Sequence, residues 1–163
     1  MSQIYDNFYM ILRSDAWLNY FQKNTASDFR CKMNEYVKME GNWEVALCNM
    51  VIYKPKNVRF GHGLWVYCDI CTSTQIGDNF DHLLRFVSIE DARKQWFTFN
   101  FENKYYIPVI KRNVDEININ IRTNYNYERK ENFINCSSSV AIQKPQSLES
   151  KATIVTLHFR KTI

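Results

Sequence analysis

Apolar and polar residues alternate with a period of two along most of the chain, the spacing that sends successive side chains to opposite faces of a β-strand. The clearest stretch is Ile117-Asn118-Ile119-Asn120-Ile121-Arg122, with three isoleucines on one face and Asn118, Asn120 and Arg122 on the other. Phe8 to Leu12, Phe29 to Met39, Leu64 to Ile70, His82 to Val87, Trp96 to Phe101 and Thr153 to Arg160 read the same way. Between Trp43 and Tyr53, Trp43, Val45 and Leu47 share a face. Tyr105 to Ile110 reads as a short or edge strand, because Pro108 cannot donate to a ladder. Gly41-Asn42 between two runs marks a tight turn, Gly77-Asp78-Asn79 punctuates, and Gly61-His62-Gly63 introduces the next strand.

Nine or ten short strands separated by loops point to an all-β sandwich, barrel or jelly roll. Helix signals are weak. Ser88 to Lys94 offers one turn, with Ser88 as cap and Asp91 three residues on, and Ser14 to Leu18 offers another. No internal repeat or linker divides the chain. One domain is expected over 1–163, with residues 1–7 as an N-terminal arm and 137–151 as a loop.

At 163 residues and 19.6 kDa, a single fold of this length buries roughly 70% of its extended-chain surface and needs no covalent staples. Hydrophobic residues at 45% and few Gly or Pro exclude disordered and collagen-like classes. Five cysteines, an odd number, read as free thiols in a reducing compartment. No apolar run approaches a membrane span, and the start lacks the basic and apolar regions of a signal peptide, so cytosolic synthesis is expected. The net charge of +4 is compatible with a polyanion nearby without demanding one.

Cys68-Asp69-Ile70-Cys71 is a lone C-x-x-C with no second ligand pair, and in a strand positions i and i+3 point to opposite faces. Two half-buried strand thiols are the expected outcome, with no metal. His62, His82 and His158 lie in separate segments. No nucleophile elbow, phosphate loop or carboxylate pair accompanies them, so no catalytic residue and no cofactor are expected. Arg122, Tyr125, Tyr127, Arg129 and Lys130 could stack on nucleic-acid bases, although such residues also decorate ordinary sheet surfaces. Asn135-Cys136-Ser137 matches a glycosylation sequon, with no route to use it in a protein made in the cytosol. The aromatic share of 15% fits subunit interfaces, where Tyr, Trp and Phe are enriched.

Several segments, in order from residue 8 to 161, resemble the penton (minor capsid) protein of Polinton/Maverick-type elements and adintovirus-like viruses. They are Phe8 to Ser14 with Tyr20 to Phe29; Met39-Glu40-Gly41-Asn42-Trp43-Glu44-Val45-Ala46-Leu47; and Val66-Tyr67-Cys68-Asp69-Ile70 with Ile76-Gly77-Asp78 and Leu83-Leu84-Arg85. Tyr106-Ile107-Pro108-Val109 with Ile117 to Ile121, and Val155 to Lys161 at the end, complete the set. The sequence departs from the family at Asn124 to Tyr127, where a glycine-marked hairpin is usual, and at Lys151-Ala152, where a glycine commonly precedes the last strand.

The resemblance implies a single jelly roll that assembles as a homopentamer at capsid five-fold vertices, a structural and not an enzymatic role. A double-jelly-roll major capsid protein would be its neighbour, and packaged DNA at most a non-specific contact. Its place would be the virion, after synthesis in the host cytoplasm and assembly there or in the nucleus. The motif residues Trp43, Glu44, Tyr67, Asp69, Gly77, Asp78, Leu84, Arg85, Pro108, His158, Phe159 and Arg160 are then fold determinants. Asp69 and Arg85 would pair with partners or loop backbone, Gly77 would mark a turn, and Arg160 would reach a neighbouring subunit. Two other classes stay open: a lectin-like binding module with an aromatic-lined pocket, and a small enzyme using His158 or Cys68.

Overall fold

A strand with Ile, Val, Leu or Phe at alternate positions gains roughly 1.5–3 kcal/mol for each such side chain fully removed from water, and the gain requires a second layer over that face. The computed structural model describes residues 6–123 and 151–163 and meets this requirement with two antiparallel sheets. Its strands are β1 (Asn7–Arg13), β2 (Asp28–Lys38), β3 (Asn42–Tyr53), β4 (Gly63–Cys68), β5 (Thr74–Ile76), β6 (Asn79–Asp81), β7 (Leu83–Ser88), β8 (Trp96–Asn100), β9 (Ile107–Pro108), β10 (Asn113–Thr123) and β11 (Ile154–Thr162). One sheet runs β1-β11-β3-β8, with β9 also beside β3; the other runs β2-β10-β4-β7. β5 and β6 form a small separate hairpin. No helix occurs among the described residues.

Both sheets feed one apolar core. Val45, Leu47, Val155, Leu157 and Phe159 come from the first, and Phe29, Leu64, Val66, Ile117, Ile119 and Ile121 from the second. Ile117, Ile119 and Ile121 are fully buried, as their alternation requires. β3 is too long to keep its phase unaided. Leu47 pairs with Leu157 and Asn49 with Thr156, so Cys48 is an unopposed extra residue. This bulge resets the alternation, and Met50 and Ile52 rejoin Val45 and Leu47 in the core. Leu84 is inserted likewise between Leu83, opposite Tyr67, and Arg85, opposite Val66; it is buried.

Several local expectations are corrected. Gly41-Asn42 does not close a hairpin: β2 and β3 lie in different sheets, and Gly41, with φ of 86°, turns the chain from one to the other. The run from Leu64 to Ile70 stops as a strand at Cys68. The Cys71 amide donates to the Cys68 carbonyl at 3.1 Å, and this turn brings both buried thiols together instead of onto opposite faces. Neither helical turn forms a helix. Residues 14–20 are successive turns, and Ser88 ends β7. Asp91 caps locally instead, its carboxylate accepting from the Arg93 amide at 3.0 Å. Asn7, placed in an arm, is already in β1. The loop expected at 137–151, except Lys151, lies outside the described residues, as do the sequon and Tyr125 to Lys130.

Gly63 shows how closely β4 and β7 pack. A Cβ there would collide with the Phe86 ring and stand 2.9 Å from the Val87 carbonyl oxygen. The ring could swing aside, but the carbonyl belongs to the ladder. Gly63→Ala is therefore expected to destabilise the fold by about 1–3 kcal/mol; a urea midpoint equal to that of the parent protein would contradict this packing.

Candidate functional site: the outer face of the first sheet

The outward side chains of β1, β11 and β3 meet in one cluster. Cross-strand register sets Tyr9 opposite His158 and Arg160 opposite Glu44. The imidazole of His158 lies 4.4 Å from the Tyr9 ring and 5.8 Å from that of Tyr106, centroid to centroid. Arg160 forms an ion pair with Glu44 at 2.8 Å and lays its guanidinium 3.5 Å above the Tyr106 ring.

Tyr106 arrives on residues 101–106, which lead from β8 to β9. The Phe101 amide donates to the Cys48 carbonyl at 2.9 Å. Arg85, from the other sheet, stacks 3.9 Å over Phe101 and donates to the Asn103 carbonyl at 2.9 Å. Lys104 reaches the Tyr9 hydroxyl at 3.5 Å. The Tyr106 hydroxyl sits 2.7 Å from Nδ1 of His158. Partial burial, then the nearby positive charges of Lys104 and Arg160, hold the His158 pKa below its usual value. The neutral ring can accept a hydrogen bond from the Tyr106 hydroxyl at Nδ1. Protonation would add a third cation beside Lys104 and Arg160.

The motif residues separate into groups. Glu44, His158 and Arg160 belong to this cluster, with Pro108 paired to Glu44. Trp43, Leu84 and Phe159 are core: Phe8 stacks on Phe159 at 4.7 Å, and the Trp43 indole donates to the Glu40 carbonyl at 3.1 Å. Tyr67 lies on the second sheet under the Arg122 guanidinium at 4.2 Å. Asp69 accepts from Lys111 at 2.7 Å and from the Asn118 amide at 2.9 Å, tying the turn after β4 to β10. Gly77, with φ of 62°, and Asp78 make the β5–β6 turn.

The remaining candidates do not converge. Cys68 is buried on the second sheet, so it does not face His158. A hydrogen bond with the neighbouring Cys68, and then burial, push the Cys71 thiol far up, the opposite of a reactive thiolate. His82 contacts the Cys71 carbonyl at 2.6 Å through Nδ1, and His62 is exposed elsewhere. Among the described residues no three His, Cys, Asp or Glu side chains group as a metal site. A cleft of about 400 Å³ between residues 38–42 and Arg112-Asn113 has no aromatic lining. Tyr9, Lys104 and Tyr106 carried no functional signal in the sequence, because His158 lies 52 residues beyond Tyr106 and only the fold joins them.

No family model matches the chain, and no curated protein is significantly similar to it. No helix among the described residues is long and apolar enough to cross a membrane.

The depressed pKa of His158 has a definite sign in stability. The unfolded chain takes up the proton first, near 6.5, so stability falls as the pH drops through 6.5. The loss is complete once the folded imidazole is also charged. The advantage of the parent protein over a His158→Gln variant should therefore shrink between about pH 8 and pH 5. Denaturant titrations that give a constant difference across this range would contradict the assignment.

Proposed function

We propose that this protein is a structural capsid component, a penton-type vertex protein built as a single jelly roll and assembled as a homopentamer. The observation that carries the reading is the strand order. Setting aside β5, β6 and β9, the eight longer strands pair first with last and inward: β1 with β11, β2 with β10, β3 with β8, β4 with β7. Nested pairing of this kind results when one long antiparallel hairpin is rolled into two sheets. It supports a jelly roll over other sandwiches, a fold that capsid proteins share with lectins. The ordered resemblance of the sequence segments to penton proteins favours the capsid role over a lectin-like one.

The flanks of the sandwich suit ring closure. β1 and β2 are the edges on one side, joined where the Cys31 thiol meets the Arg13 carbonyl at 3.4 Å; β7 and β8 are the edges on the other. Large apolar side chains stand exposed on both: Tyr9 (59%) and Ile11 (67%) on β1, Phe86 and Trp96 (45%) on β7 and β8. Two different flanks that meet head to tail generate a ring where the rotation between copies closes. Permanent interfaces of this type bury upwards of about 2,000 Å² and are rich in apolar groups. The neighbours in the capsid would be copies of a double-jelly-roll major capsid protein, and the location would be the virion.

Size-exclusion chromatography with light scattering tests the reading. The expected mass is close to five times 19.6 kDa. A monomer at every concentration overturns the pentamer. Ile11→Asp should shift the rings to folded monomers, and rings that persist would remove the β1 flank from the interface.

A further inference from the structure

Consecutive antiparallel strands place alternate connections at opposite ends of the sandwich, and the charge divides between those ends. At one end lie the β3–β4 connection (54–62), the β7–β8 connection (89–95) and the approach to β11. They are tied together: the Lys54 amide donates to the Gln95 carbonyl at 2.6 Å, the Ile89 amide to the His62 carbonyl at 2.9 Å, and Lys151 sits 4.8 Å above the Tyr53 ring. These segments carry Lys54, Lys56, Arg59, Arg93, Lys94 and Lys151 against only Glu90 and Asp91. The β1–β2 connection at the same end, residues 14–27, leaves that excess intact, with one charge of each sign, Asp15 and Lys23. At the far end, 39–41, 69–82 and 101–112 hold three cations against five carboxylates. The excess at the basic end, six cations over two carboxylates, equals the +4 of the whole chain.

Two buried donors at the basic end are incompletely satisfied among the described residues. Lys54 is 8% exposed, and its ammonium donates there to the Val58 carbonyl at 3.4 Å. The buried side-chain amide nitrogen of Gln95 has no acceptor among those residues. A lysine with three donors and one weak acceptor raises the local positive potential without offsetting it.

We propose that this end binds nucleic acid through its phosphate backbone, without reading bases. The cations are spread over three segments, and Lys56, Arg59, Lys94 and Lys151 stand toward solvent. Dispersed charges suit a chain of regularly spaced phosphates better than a single phosphate, which needs converging donors. A membrane surface is the poorer match. Exposed positions in the two loops are polar apart from the small Ala92, while Val58 and Ile89 pack on the core, so neither loop offers a large apolar side chain to insert, and the exposed Trp96 beside them lies on the β8 flank. The proposal does not rest on the vertex reading, since a monomer would present the same end.

The test is fluorescence anisotropy with a labelled duplex of about 30 base pairs, titrated from about 25 to 200 mM salt. Binding should weaken linearly on a log–log plot. Lys56→Glu with Arg59→Glu should weaken it at least tenfold and lower the slope by about two, one for each phosphate that is no longer neutralised. Lys38→Glu with Lys161→Glu makes the same change in net charge at the far end and should leave binding within about threefold, since only the long-range field is altered. Circular dichroism confirms that both variants fold. Equal losses in the two variants, or no binding at the lowest salt, overturn the proposal. So does retention on phosphatidylserine vesicles without DNA binding, which would make the partner a lipid surface. Light scattering on the same samples reports the assembly state separately.

Discussion

Neither sheet of this molecule is stable without the other lying over its apolar face. The inward side chains of β10 and β11 are apolar except Thr123 at the end of β10, and each apolar one loses its contribution unless the opposite sheet covers it. β10 and β11 are interior strands, each flanked on both sides, so both long runs of alternation are anchored in ladders. The bulges at Cys48 and Leu84 follow from this requirement. A strand that curves around a core must drop one residue from its ladder to keep its apolar set inside.

Once the core is closed, polar chemistry is confined to outer faces and ends. The cluster around His158 illustrates this. Its members come from β1, β3, β11 and the segment 101–106, and an arginine from the other sheet fixes that segment from behind. Tyr106 is held from two sides, by a hydroxyl contact to His158 and by the Arg160 guanidinium over its ring. The geometry is that of a surface that secures a loop. Its histidine is occupied by the Tyr106 hydroxyl and flanked by Lys104 and Arg160.

Flanks, faces and ends carry different chemistry. The β1 and β8 flanks expose large apolar side chains, the outer face of the first sheet holds a loop in place, and the charge collects at one end. Such a division suits each surface to a different kind of contact. Apolar flanks associate by burial, whereas a solvated basic end attracts through a screened field that salt weakens.

Local sequence was enough to define the longer strands and most of their inward residues, though not the short β5–β6 hairpin. Ile117, Ile119 and Ile121, or Val155, Leu157 and Phe159, announce their faces by a period of two that depends only on local backbone geometry. It also marked Gly77 as a turn residue, because a positive φ suits glycine there. Other features lie beyond what local periodicity can hold. Cys68 and Cys71 look like opposite faces of one strand until the strand ends at Cys68 and a turn brings the thiols together. Gly41-Asn42 looks like a hairpin until β2 and β3 enter different sheets. The contact of Tyr106 with His158, and the gathering of six cations at one end, depend on which strands become neighbours. That choice is made by the packing of distant segments against one another, and no window of a single strand contains it.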